Sequence, residues 1–159
     1  MDIKDTLQKY PPTRDNLLLI LHEIQRENPG NNITHSDIRQ VAKYLNTTTA
    51  SVYGVVRYYS IFSMNPRGKY IIRFCKSPVC MMVGAFNLLN VLEKELTIRV
   101  GETTSDMLFT LEPSECLGHC DKAPVMMLND TVYYNLDEAR LKNIINYLRE
   151  KEHKKQTKS

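Results

Sequence analysis

No apolar run in this chain is long enough to cross a bilayer. The longest strongly apolar stretch is LLLIL at residues 17–21, whereas a spanning helix needs about 20 such residues. The opening MDIKDTLQKY lacks the hydrophobic segment of a secretory signal, so a cytoplasmic address is the expectation. None of the six glycines falls in a G-x-G-x-x-G or phosphate-loop pattern; the chain is therefore expected to bind neither a nicotinamide nor a flavin by itself. There is no C-x-x-C, no zinc-finger histidine spacing, no RNA-binding aromatic motif and no internal repeat. The net charge of +3 partly reflects the terminal REKEHKKQTKS, which reads as a solvated end rather than a nucleic-acid patch.

What remains fits a chain of one-domain size with a helical extension. Apolar residues make up 42% of 159, enough for a core. Residues 13–63 read as three short one-faced helices. Thr13 is placed to cap the first, with Leu17, Leu18, Ile20, Leu21 and Ile24 on one face and Pro29 and Gly30 ending it. THSD at 34–37 has the form of a capping box, with Thr34 and Asp37 serving each other. The helix it opens points Ile38, Val41, Ala42 and Leu45 inward. Thr48 or Thr49 caps the third, which carries Val52, Val55, Val56 and Tyr59. Such short helices need partners to be stable.

The pattern changes after NPRG at 65–68. KYIIRFC reads as a strand ending at Cys75, followed by a loop and a helix over about 82–95 with Phe86, Leu89 and Leu92 inward. Residues 107–116 read as a second strand, and 125–136 as a hairpin turned at Asn129 and Asp130. A last helix starts near NLDE, capped by Asn135 with Glu138, and uses Leu141, Ile144, Ile145 and Leu148. The expected class is α+β, with an N-terminal helical region over 1–66, a small mixed-sheet domain over 67–150 and a basic flexible tail over 151–159.

All four cysteines lie in two pairs, C-x4-C at 75 and 80 and C-x3-C at 116 and 120, each at a strand end. If the two strands are neighbours, the thiols gather at one edge of the sheet. In a reducing compartment such thiols bind metal or do redox chemistry more often than they form disulfides. Zinc commonly takes pairs separated by two residues, tighter than here. A 2Fe–2S cluster spans more distance and needs four thiolates. Spacing favours the cluster and leaves zinc open. Gly118 can let backbone N–H groups approach sulfur. Lys76 and Lys122 would favour added negative charge there, unless they are plain surface charges. His22, His35, Met81 and Met82 have no ligand spacing, and Tyr58 and Tyr59 read as packing. Gly54 would allow close helix contact.

The segments VYGVVRYYSIF, PRGKYIIRFCKSPVC and VGETTSDMLFTLEPSECLGHCDKAPVMMLND resemble the thioredoxin-like 2Fe–2S subunit of NADH dehydrogenases. The same subunit type occurs in NAD(P)-linked iron-only hydrogenases and soluble formate dehydrogenases. The resemblance covers about residues 15–150. It implies a thioredoxin-like domain with one 2Fe–2S cluster, held by Cys75 and Cys80 with Cys116 and Cys120, two to each iron. His119 stands where relatives often have a small residue. It also implies a non-catalytic electron-transfer role. FMN and NAD(H) would belong to a large partner subunit on which the N-terminal helices dock, and a further iron–sulfur catalytic subunit is expected. Among parent complexes, an iron-only and possibly electron-bifurcating hydrogenase is the expectation, with respiratory NADH:quinone oxidoreductase or NAD-dependent formate dehydrogenase as alternatives. A zinc-stabilised interaction module and a free thiol–disulfide oxidoreductase, which would lack the usual C-x-x-C, are the remaining readings.

Overall fold

A computed structural model describes residues 3–156. The chain divides at Lys69 and Tyr70 into two compact units, each with its own core.

The first unit is helical: α1 (Ile3–Gln8), α2 (Leu17–Glu27), α3 (His35–Tyr44) and α4 (Thr49–Tyr58). The sequence pattern gives no sign of α1, six residues long and mostly polar, which buries only Thr6 and Leu7. Its value is a polar anchor. The Thr6 hydroxyl donates to Glu27, the Tyr10 hydroxyl donates to Glu23, and Lys9 Nζ lies 3.2 Å from Glu27 Oε1 while also pairing with Glu23. Thr13 makes no side-chain cap. A 3-10 turn over Arg14–Asn16 precedes α2, which therefore starts at Leu17 and leaves Leu18 and Leu19 outward. The capping box at Thr34 and Asp37 forms with both bonds present, and Thr48 caps α4 through Ser51 N–H. Tyr59, expected inward, terminates α4 in extended backbone and is exposed. A Cβ at Gly54 would meet open space, so no close helix contact requires that glycine.

Lys9 first, then Tyr10, holds the Glu23 carboxyl below its ordinary value, and Thr6 does so for Glu27 despite the opposing effect of desolvation. Carboxylates depressed in the folded state stabilise it above the ordinary pKa of 4.5, and that contribution disappears as pH falls through the folded value. Replacing Glu23→Gln and Glu27→Gln together is expected to flatten the acid limb of a melting-temperature profile below pH 4.5. An unchanged acid limb would rule the anchor out as its source.

The second unit builds a four-stranded sheet from β1 (Tyr70–Cys75), β2 (Phe109–Ser114), β3 (Met126–Leu128) and β4 (Thr131–Tyr133), in the order β2-β1-β3-β4. β1 and β2 run parallel, in register from Tyr70 opposite Phe109 to Cys75 opposite Ser114. β3 pairs antiparallel with both β1 and β4, so the expected hairpin forms and turns at Asn129, whose φ is +51°. A parallel pair needs a crossover, and here it is helical: α5 (Pro78–Met82) and α6 (Ala85–Leu96). The helix expected over 82–95 is α6, and α5 lies in the segment expected to be a loop. Gly84, at φ +100°, separates the two helices and precedes the first residue of α6. Ala85, Leu88, Leu92 and Leu96 then point into the core, while Phe86 faces outward at 56% exposure.

α7 (Glu138–Gln156) closes the unit, burying Leu141, Ile145 and Leu148 with α6 beside it. Its cap is Asp137, whose Oδ1 accepts from Arg140 N–H at 2.7 Å, rather than Asn135, which is displaced into left-handed backbone at φ +48°. Residues 151–156, expected as tail, continue α7; residues 157–159 lie outside the described residues. No helix among the described residues is long and apolar enough to cross a membrane.

Candidate metal centre

The site begins with the parallel register of β1 and β2. Parallel neighbours end on the same side of a sheet, so the segments leaving Cys75 and Ser114 start side by side. Cys75 N–H donates to Val125 C=O at 3.2 Å and Lys76 N–H to Ser114 C=O at 2.9 Å, which locks the end of β1 from both flanks. α5 follows at once, with Pro78 in its first turn, where a missing N–H costs nothing. One turn of helix brings Cys80 back beneath Cys75, and both thiols are buried.

The second pair is built differently. Beyond Ser114 the chain leaves the sheet and exposes both Cys116 and Cys120. Gly118 sits between them at φ +79°, which a side chain would strain, and its N–H donates to Cys116 Sγ at 3.4 Å. The two sulfurs are 3.6 Å apart. Tetrahedral metal–thiolate bonds of about 2.3 Å put two sulfurs about 3.8 Å apart, so this loop already has the spacing of a two-thiolate chelate.

The pairs face one another. Leu117 N–H, between the exposed cysteines, donates to Cys75, and the charges of Cys75 and Cys80 reach Cys120. Burial pushes the Cys75 thiol up, but the Ser77 hydroxyl and N–H, Leu117 N–H and Cys80 outweigh it, so its thiolate is favoured. Ser77 Oγ lies 3.3 Å from the sulfur. Burial, then the neighbouring Cys75, pushes the Cys80 thiol up, and Cys116 does the same to Cys120. Cys80 and Cys120 thus resist a second negative charge beside their neighbours. A bound cation removes that resistance, as metal sites require deprotonated ligands.

The residues fit a 2Fe–2S cluster in donor type, donor count and pairing. Among the described residues, no three His, Cys, Asp or Glu side chains converge closely enough for a single metal ion. The backbone donors from Gly118 and Leu117 and the Ser77 hydroxyl are hydrogen bonds to sulfur, which tune such clusters. Of these, sequence reasoning found Gly118 only. Leu117 carries no signal because any residue there supplies an N–H, and the Ser77 hydroxyl belongs to no motif.

The two flanking lysines part ways. Lys76 pairs with Glu115 at 2.9 Å, which offsets its charge. Lys122 instead lies over the Tyr134 ring, 5.2 Å from its centroid. His119 packs edge-on against that same ring, with centroids 4.8 Å apart. His22 and His35 stack on Phe62 and Tyr53 in the helical unit and take no part in the site.

Two cysteine pairs at the ends of neighbouring parallel strands on an α+β scaffold point to a class, the 2Fe–2S electron carriers. The chain belongs to the thioredoxin-like 2Fe-2S ferredoxin family, whose profile matches residues 3–149. It is 40% identical over 147 residues to a subunit of the NADH-quinone oxidoreductase of Rickettsia prowazekii (strain Madrid E), covering 91% of this chain and 82% of that one. The corresponding NADH-quinone oxidoreductase subunit from Aquifex aeolicus (strain VF5) is 38% identical over 143 residues, covering 90% and 88%. In structure, the chain resembles part of an NAD+-reducing NiFe-hydrogenase in the air-oxidized state, with a TM-score of 0.76 and 22% identity. That match covers 88% of this chain and 24% of the larger one, and it speaks for the fold.

Proposed function

We propose that this chain is the one-electron relay subunit of an NADH-dehydrogenase-type complex, holding one 2Fe–2S cluster on Cys75, Cys80, Cys116 and Cys120. The observation that carries the reading is the convergence of a buried and an exposed cysteine pair from the ends of two parallel strands. The cluster supplies one-electron redox chemistry. The chain's part is to bind it, donate hydrogen bonds to its sulfurs and exclude water on the Cys75 side. NADH delivers two electrons as hydride, so a flavin must stand between the nicotinamide and a one-electron carrier. FMN and the NAD(H) site are assigned to a large partner subunit, and a further iron–sulfur subunit completes the path.

Exposed apolar groups support a subunit role. On the helical unit these are Leu18, Leu19, Tyr53 and Tyr58; on the cysteine-bearing unit they are Val79, Met82, Val83 and Phe86 beside the buried pair. Met82 is 87% exposed. Clustered apolar exposure marks interaction surfaces, and the helical region, near residues 1–66, is assigned to docking on the flavin-bearing partner. A cytoplasmic location goes with this reading.

For the parent complex we favour an NADH-quinone oxidoreductase type over the iron-only hydrogenase expected from the motifs, because the relatives compared above at 38–40% identity carry the former name. Isolating the native complex through a tag on this chain is expected to bring down a flavin-containing subunit in equal amount, and NADH should then bleach the visible spectrum of the cluster. A co-purified hydrogen-activating subunit would reverse the choice of complex, and the absence of any flavoprotein would contradict the relay role.

A further inference from the structure

Half-buried Leu117 and Ala123 pack the cysteine loop on the core, but Cys116 and Cys120 themselves are exposed, with their sulfurs 3.6 Å apart. The connector from β4 to α7 is bonded to the segment that follows Cys120. Asn135 N–H donates to Lys122 C=O at 2.8 Å, and Leu136 N–H to Pro124 C=O at 3.2 Å. Between β4 and those bonds, the half-buried Tyr134 ring takes His119 at its edge and the Lys122 ammonium over its face. Tyr134 is itself held from α7, because Arg140 Nη1 donates to its carbonyl at 2.8 Å and Arg140 N–H is tied to the Asp137 cap. His119 precedes Cys120 directly and Lys122 follows it by two residues. One ring therefore touches the chain on both sides of that cysteine.

We propose that Tyr134 is a positioning residue for the outer half of the metal centre, its ring clamping His119 and Lys122 so that Cys120 stays at chelating distance from Cys116 and a lysine charge stays beside the loop. The inference rests on the ligand set proposed above. Two consequences follow from the clamp. Losing it frees the loop, so iron bound there leaves faster; outer supports of this kind are typically worth about tenfold or more in metal retention. Losing it also releases the exposed Lys122 ammonium from the ring face, so a positive charge two residues from Cys120 is no longer fixed, added negative charge at the site is less favoured and the midpoint potential falls. Lys76 is instead paired with Glu115.

The experiment compares three variants, all reconstituted anaerobically. Tyr134→Leu is expected to release iron to a strong chelator about tenfold faster and to show a more negative midpoint potential. Tyr134→Phe keeps the ring and is expected to match the parent protein in both readouts. Lys122→Gln, a surface change that leaves the fold alone, is expected to lower the potential. The proposal is overturned if Tyr134→Leu equals the parent in both readouts, or if Tyr134→Phe behaves like Tyr134→Leu. Should Tyr134→Leu fail to fold, an unchanged potential in Lys122→Gln overturns it instead. Failure of the ligand set is separately visible, as parent protein that reconstitutes without iron.

Discussion

Cys75→Ala is expected to leave the protein colourless and to weaken the metal-free fold as well, whereas Cys116→Ala is expected to remove the colour and leave the metal-free fold unchanged. Both positions supply thiolates to the proposed cluster, and neither replacement offers a ligand, so iron falls from about two per chain toward background in each. The difference lies in burial. Cys75 ends β1 inside the core, 1% exposed, with Cys80, Phe74 and Val125 in the same cluster. Deleting its sulfur leaves a small buried void and costs about 1–2 kcal/mol on top of the lost cluster. Cys116 faces solvent, and surface changes usually cost within about 0.5 kcal/mol. Urea unfolding of the metal-free forms separates the two terms. Either variant keeping full iron and the parent spectrum would remove that cysteine from the ligand set.

The largest loss of stability is expected at Phe109. Its ring opens β2, is 1% exposed and packs on Tyr70 with centroids 5.7 Å apart, at the start of the parallel register that aligns the cysteine loops. Truncation of a buried Phe to Ala costs about 3–5 kcal/mol, a large share of the roughly 5–15 kcal/mol that holds a typical domain together. Phe109→Ala should therefore unfold at much lower urea and fail to retain iron although every cysteine is present. A shift below about 1 kcal/mol would mean that the β2 end of the sheet is not held by this ring. Tyr70 contributes from the other side. Burial, followed by the bond to Glu152, raises its phenol to about 12.

These two residues also show what can be read from the chain itself. The strands carrying Phe109 and Cys75 are alternating or continuous β-formers flanked by turn residues, and such signals survive without tertiary context. The capping box at Thr34 is equally local and reads directly. Where the structure departs from the pattern, a long-range or conformational term wins. Phe86 lies in an apolar helical run yet faces solvent, because the buried stripe of α6 runs through Ala85, Leu88, Leu92 and Leu96 and Phe86 falls beside it. Asn135 has capping spacing, but Asp137 takes the cap because Asn135 bridges to Lys122. α1 leaves no trace in the pattern because its stabilisation comes from Glu23 and Glu27 on a different helix.

The candidate site divides along the same line. Paired cysteines at strand ends are visible in the letters, and their convergence follows once the strands are taken as neighbours. What orders the outer pair is not visible. Tyr134 lies 14 positions beyond Cys120, and only the hairpin register returns it to the loop. Lys76 and Lys122 look equivalent as letters flanking cysteines, and only the folded chain shows one charge offset by Glu115 and the other held over a ring.

Metal and sulfide analysis of protein purified without oxygen tests the central claim most directly. Two thiolate pairs meeting from β1 and β2 predict about two irons and two acid-labile sulfides per chain, with no stoichiometric zinc. One zinc per chain and no sulfide would contradict it.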